Sequence, residues 1–323
     1  MTHPQNKYAL VADIGGTNTR VALADGHHVL TDTIRRYANI NFAGLEPVLQ
    51  QYLSDEGDVV PASVCVAVAG PVQDGKATMT NLDWTMTEAS LAAATKAPTV
   101  AILNDLQAQG YAIGHIADEN LNVVVTGSAA KPMDAKLVVG VGTGFNAAPV
   151  IESAGGRVVP PSESGHVTLP VLSAQERDLA DFVSTAHGFP SVEDVLSGRG
   201  IENVYHFVTT QKGNPTQRKA NEIMADCDAG DADALETVAI CVQALGAVCG
   251  NLALTLLPFG GIYLVGGVSR AFAPHLKSAG FAEAFCNKGR FADFMQQFPI
   301  SVVTDDYAAL IGCAAYLAQS QTR

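Results

Sequence analysis

Three glycine turns carry the first chemical signal in this chain of 323 residues: Gly15-Gly16-Thr17-Asn18, Gly142-Thr143-Gly144 and Gly266-Gly267. Each follows an apolar run, at 8–13, 137–141 and 262–265. Glycine lets the backbone come close to a ligand and adopt positive φ, so that consecutive N–H groups converge on an anion. Taken singly, each turn reads as an ordinary connection between elements. Three at strand ends in one chain point to a bound nucleotide. Asp13, at the end of a buried run beside the first turn, suits a Mg²⁺ ion held directly or through water, or is simply a turn-forming aspartate.

Other polar groups stand where a reaction would need them. Asp105 follows the apolar run 99–103 and heads a helical segment. There it suits a general base kept ionised by the helix N–H dipoles, or an N-terminal capping aspartate with no catalytic duty. Glu163 and His166 flank Gly165, and Glu193 follows Pro190 by three residues. His166 alone reads as a loop histidine, and Glu193 alone as a helix start. Competing nucleotide motifs fail. No Gly-x-x-x-x-Gly-Lys-Ser/Thr occurs. Gly140-x-Gly142 lacks the third glycine of the dinucleotide fingerprint, because Phe145 stands there, and it leads into a strand. No His-Arg-Asp segment accompanies the glycines.

The elements that must hold these groups follow from pattern. The first turn joins the strands 8–13 and 20–24, a third strand covers 28–34, and a helix covers 42–53. The runs 63–69 and 99–103 are strands, the first rich in β-branched and small residues as a strand covered on both faces requires. The second half opens the same way, with strands at 137–141 and 145–151 around the second turn. A weak repeat results, with Thr143 aligned to Thr17 at an offset of 143 − 17 = 126 residues. A long helix over 231–257, strands at 262–265 and 300–304, and a last helix over 307–319 complete the chain. Asp231 and Asp233 suit the start of the long helix.

Bulk properties narrow the class. Apolar residues make up 48% of the chain and charged residues 16%, enough apolar surface for a large core. The net charge of −13, with no basic cluster, argues against a nucleic-acid partner. The apolar stretch 238–268 is interrupted by Gln243, Asn251, Thr255, Pro258 and Gly260-Gly261, so it reads as buried helix, turn and strand, not a membrane span. The first residues show no secretory signal, which implies a cytoplasmic protein. The six cysteines form no Cys-x-x-Cys pair and sit mostly in apolar runs, as buried reduced thiols do.

Asp13-Ile-Gly-Gly-Thr-Asn, Gly142-Thr-Gly and Leu264-Val-Gly-Gly resemble the nucleotide-binding segments of the superfamily of actin, heat-shock chaperones and sugar kinases. With Leu103-Asn104-Asp105, Glu163-Ser-Gly-His166, the segment Glu193 to Gly200 and Gly250-Asn-Leu-Ala-Leu254, the chain resembles the bacterial glucokinase family over nearly its whole length. The ROK group of kinases and repressors shares Glu-x-Gly-His. Its members carry a zinc-binding cysteine cluster soon after the histidine, whereas here the next cysteine is Cys227. The resemblance is therefore to the zinc-free branch.

That resemblance implies a two-lobed α/β fold of the actin-like ATPase (ribonuclease H-like) type with a central interdomain cleft that closes on glucose. It places a small domain at 1–110 plus 305–323 and a large one at 111–304. It implies transfer of phosphate from ATP, with Mg²⁺, to the 6-hydroxyl of D-glucose, the first step of glycolysis, in a cytoplasmic homodimer. By position, Asp105 matches the catalytic base, and Asn104, Asp105, Glu163, His166 and Glu193 match the sugar-binding residues. Ala12, Asp13, Ile14, Gly15, Gly16, Thr17 and Asn18, with Gly142, Thr143, Gly144, Gly266 and Gly267, form the expected nucleotide site. The chain departs from the family at Ala12, where glycine often precedes the aspartate, and at Phe145-Asn146, where a further glycine is common. Another hexose as substrate, a non-catalytic sugar sensor and a filament protein on the same fold are the competing readings.

Overall fold

The computed structural model describes residues 7–79 and 82–321. Met1–Asp118, Ser153–Pro161 and Asp305–Arg323 make up one α/β unit, and Glu119–Glu152 with Ser162–Thr304 a second. The first unit thus extends past 110 and takes in a short excursion at 153–161, which the sequence pattern assigns to the large domain. No local signal marks that excursion, because its place is set by contacts with residues far away in sequence.

In the first unit, β1 (Ala9–Ile14) pairs antiparallel with β2 (Asn18–Asp25). The turn chemistry and the apolar flanks dictate this hairpin. The strand expected at 28–34 is instead two: β3 (His28–Val29) and β4 (Arg35–Ala38), both pairing with β2. A 3-10 turn at Thr31–Thr33 parts them. Thr33 causes the break, since its buried hydroxyl donates to the Leu30 carbonyl and accepts the Leu23 N–H. β5 (Ser63–Val68), buried at every position, lies parallel to β1. β6 (Val72–Gln73), β7 (Lys76–Thr78) and β8 (Thr85–Thr87) form a small separate sheet, and β9 (Val100–Asn104) adds parallel to β5. The main sheet order is β3-β2-β1-β5-β9. Two helices, α1 (Leu45–Asp55) and α2 (Glu88–Thr95), cover it, and α3 (Asp105–Ala112) leaves the end of β9 directly. Trp84 packs in this unit's core, and Asn81 lies outside the described residues.

The second unit repeats the plan. β10 (Leu121–Val125) is an edge strand. β11 (Lys136–Val141) pairs antiparallel with β12 (Phe145–Val150) and parallel with β13 (Ile262–Val265), which in turn lies parallel to β14 (Ile300–Val303). The repeat is closer than a single offset conveys. β1 and β11 end 127 residues apart (141 − 14), while the pairing partners that close the two turns, Thr19 and Phe145, are 126 apart (145 − 19). The second turn is one residue shorter.

Helices α4 (Ala174–Ser184), α5 (Gly198–Gln211), α6 (Ala220–Asp228), α7 (Ala232–Leu256), α8 (Gly267–Phe272), α9 (Phe281–Cys286) and α10 (Ala292–Met295) complete this unit. Asp231 caps α7 through the N–H groups of Asp233 and Ala234. α7 is long and apolar enough to cross a membrane, but much of it is buried in the second unit's core. Cβ atoms at Gly246 and Gly250 would press on the backbone of α9, at Phe281 and Phe285, so glycine is what lets the two helices meet. Five of the six cysteines are buried free thiols, and Cys286 is half-buried. Burial pushes the Cys241 and Cys249 thiols up to about 12, which leaves them inert.

The chain ends on α11 (Ala308–Gln321), which returns to the first unit and packs on α3.

Candidate active site

The first unit holds two carboxylates near the ends of β1 and β9, parallel strands that flank β5 in the sheet. Asp13 lies on β1 directly opposite Arg20 on β2, and its Oδ2 accepts from the Arg20 guanidinium at 3.3 Å. Burial raises the Asp13 carboxyl above the ordinary aspartate range, and Arg20 opposes that shift. Arg20 was not singled out from the sequence. Counting outward from the turn along the hairpin puts it across from Asp13, so the register was the available signal.

The turn between these strands is held by a residue with no such signal. Asn39 is buried and lies outside the hairpin. Its Nδ2 donates to the Gly15 carbonyl at 2.8 Å, its backbone N–H to the Thr17 carbonyl at 2.9 Å, and its Oδ1 accepts from the Thr19 hydroxyl at 2.8 Å. Gly15 N–H closes the turn on the Asn18 carbonyl, and the Asn18 amide donates to the Thr17 hydroxyl. The side chains of Ala12 and Ile14 are buried in the sheet, so only their backbone is available to a ligand.

Asp105 is the first residue of α3, and Asn104 is its N-cap. The Leu106 N–H donates to both Asn104 Oδ1 (3.0 Å) and Asp105 Oδ1 (2.9 Å). The cap is reciprocal, because Gln107 Oε1 accepts the Asn104 N–H. Asn104 Nδ2 reaches back to the Gly70 carbonyl at 3.1 Å. The 153–161 excursion then straps α3 at both ends. Gln107 Nε2 donates to the Val159 carbonyl, and Arg157 donates to the carbonyls of Gly110, Tyr111 and Ile113. On another side, a Cβ at Gly312 of α11 would overlap the Ala108 carbonyl oxygen.

The Asp105 carboxyl is pushed up to about 6, first by burial and second by the charge of Asp13. The Leu106 N–H and the Asn104 side chain pull the other way without prevailing. The helix N–H groups thus act in the expected direction, but desolvation and a like charge outweigh them, and the group is ionised at neutral pH with a raised pKa.

The second unit gathers the other expected residues. The Phe145 N–H donates to Glu193 Oε2 at 2.9 Å, and the Arg199 guanidinium meets Glu193 Oε1 at 3.3 Å. A Cβ at Gly144 would stand 2.5 Å from Glu193 Oε2, so glycine lets that carboxylate lie on the turn. Gly198 N–H donates to the Gly142 carbonyl, tying the start of α5 to the same turn. Glu193 N–H donates to the Gly165 carbonyl, and a Cβ at Gly165 would overlap the Phe145 carbonyl. Glu163 and His166, at the two ends of the Ser164–His166 3-10 turn, both have exposed side chains. Gly266 has φ +97°, and a Cβ there would overlap the Val141 carbonyl, so the third turn lies against the second. Thr143 is exposed, and no atom stands where side chains at Gly142 or Gly267 would grow.

An order of main strands in which a hairpin is extended by parallel strands, built twice, with glycine turns at the strand ends and carboxylates beside them, defines the actin-like ATPase class and, within it, a sugar kinase. The comparisons with known proteins carry this further. The sequence model of the family described as Glucokinase matches residues 10–320, and the chain belongs to the glucokinase family. It is 33% identical to a glucokinase of Rhizobium johnstonii, over 98% of this chain and 95% of that one. The crystal structure of a glucokinase from an Antarctic psychrotroph superposes with a TM-score of 0.86 at 30% identity, covering 97% and 99% of the two chains. A ROK-family glucokinase from Streptomyces griseus, solved with glucose and AMPPNP, shares the fold at a TM-score of 0.64 and 18% identity, over 97% and 99% of the chains. Among the described residues no group of three or more His, Cys, Asp or Glu side chains is placed to hold a metal.

Proposed function

We propose that Asp105 is the general base in the ATP-dependent phosphorylation of D-glucose to glucose 6-phosphate, the activity of the family to which this chain belongs. The carboxylate takes the proton of the sugar 6-hydroxyl as that oxygen bonds to the γ-phosphorus. The bond from phosphorus to the bridging β-γ oxygen breaks, and ADP leaves. The observation that carries the reading is the state of Asp105. It is fixed at the head of α3 by the Asn104–Gln107 cap and the 157–159 strap, and its pKa near 6 leaves it ionised yet basic at neutral pH.

The residues assigned to the sugar are Asn104, Asp105, Glu163, His166 and Glu193. Those assigned to the phosphates and nucleotide are Ala12–Asn18, Gly142, Thr143, Gly144, Gly266 and Gly267. Hydroxyl groups are recognised by fixed acceptors and donors, which two carboxylates and an imidazole provide. Asp13 is the residue that would hold Mg²⁺, through water. The donor set fits, since two neighbouring acidic groups are offset by one guanidinium and Mg²⁺ needs only one or two protein carboxylates beside water and phosphate. Bound there, the ion neutralises charge on the phosphates. Arg20 orients Asp13, and Asn39 keeps the first turn open toward the anion. The enzyme acts as a soluble cytoplasmic homodimer.

Coupled ADP release, measured side by side with glucose, mannose, fructose and N-acetylglucosamine, tests the substrate. Glucose is expected to give the highest kcat/KM. A higher value with another hexose would replace glucose in this reading, and sugar binding without ADP release would make the protein a sensor.

A further inference from the structure

The residue opposite Gly140 on the second hairpin is Asn146, and its side chain is engaged with another segment. Its Nδ2 donates to the Ser162 carbonyl. Its Oδ1 accepts the Ser164 N–H at 3.0 Å and the Ser164 hydroxyl at 3.1 Å, and also the N–H of Ala147 at 2.8 Å. One amide therefore grips the residues immediately before and after Glu163. No other side chain bonds both neighbours of that glutamate among the described hydrogen bonds. The adjacent residue, Phe145, gives its N–H to Glu193. The first two positions of β12 thus engage Glu193 and the neighbours of Glu163, two of the carboxylates assigned to the sugar, and β12 itself is anchored in the sheet by its ladder with β11.

We infer that Asn146 is a positioning residue that sets glucose affinity by fixing the main chain on either side of Glu163. The inference rests on the assignment of Glu163 to the sugar. The chemistry needs an amide here. The Ser162 carbonyl requires a donor, the Ser164 N–H and hydroxyl require an acceptor, and only a group with both on one short stem serves all three. Aspartate keeps the acceptor but sets a carboxylate oxygen against the Ser162 carbonyl. Alanine removes both, and the 162–164 backbone is released from β12. Glu163 is exposed, so its carboxylate is aimed chiefly by its own backbone, which is why the effect should fall on sugar binding.

The test is steady-state kinetics and calorimetric glucose titration on Asn146→Ala, Asn146→Asp and Glu163→Gln, with melting temperatures alongside. Asn146→Ala is expected to raise the glucose KM and Kd about 10-fold, the size of one or two lost hydrogen bonds, while the ATP KM stays within about 2-fold. Asn146→Asp should fall between wild type and alanine. A purely structural role would lower the melting temperature and the active fraction, reducing kcat while leaving the glucose KM in place, and that pattern overturns the inference. So does a rise of the glucose and ATP KM values together. If Glu163→Gln weakens glucose binding and Asn146→Ala does not, the inference alone fails. If Glu163→Gln leaves glucose binding intact, the assignment of Glu163 fails and the inference falls with it. Should Asn146→Ala not fold, the Asn146→Asp shift in glucose KM decides by the same criteria.

Discussion

The two hairpins of this molecule have the same plan and opposite contents. On the first, the position two pairs out from the turn is Asp13 facing Arg20, and on the second the corresponding pair is Gly140 facing Asn146. The first pair is charged, and its carboxylate raises the pKa of the neighbouring Asp105. The second is neutral, and its amide turns to hold the segment around Glu163. The same plan thus carries a different pair in each ladder, and under the proposed function one hairpin shapes the electrostatics of the reacting proton while the other shapes the hydroxyl-binding segment. The turns differ in the same sense. Four residues lie between the closing pair of the first and three between that of the second. The longer one is braced by Asn39, and the shorter one by Glu193 and Gly198.

The division of labour can be broken most severely at Asp105. Asp105→Asn is expected to lower kcat by about 10²–10⁴-fold with glucose affinity nearly unchanged, measured by coupled assay and calorimetry. The same variant carries a stability signature. A carboxyl with a raised folded-state pKa contributes stability below the ordinary aspartate range and loses it as pH rises through about 6. Asp105→Asn should therefore melt higher than wild type at pH 8 and converge with it toward pH 4. If turnover stayed near normal, the first hairpin would have no reacting proton to tune.

Next in size is Gly312→Ala. The added Cβ would overlap the Ala108 carbonyl, a backbone atom in the middle of the helix that presents Asp105. A loss of about 1–3 kcal/mol in denaturant unfolding is expected, along with a fall in kcat, because α11 and α3 must separate. A smaller effect is expected at Asn39→Ala, which strips two side-chain hydrogen bonds from the first turn. The ATP KM should rise several-fold while the glucose KM holds, the reverse of the pattern expected at Asn146. If both variants changed the same parameter, the two hairpins would not be divided as described.

Much of this arrangement was legible in the sequence for a local reason. A strand, a glycine turn and a strand announce themselves within a dozen residues, and so do Asn104-Asp105 at a strand end and the helix cap at Asp231. What escaped is non-local. Asn39 braces Gly15 from 24 residues away, and the 153–161 strap holds α3 from about fifty. Nothing in their own neighbourhoods marks either. The break of the third strand at Thr33 hinges on one buried hydroxyl. The pKa of Asp105 depends on burial and on Asp13, neither of which is visible in the order of residues around it, so the local helix-dipole argument captured only the opposing, smaller contribution.

The pH dependence of kcat/KM for glucose, in wild type and in Asp13→Asn, tests most directly whether the proton at Asp105 governs turnover. The base must be ionised, so activity should climb with pH along a limb centred near 6 and level off above it, and removing the Asp13 charge should move that limb to lower pH. A wild-type limb near 4, or one that stays in place when Asp13 is neutralised, would contradict it.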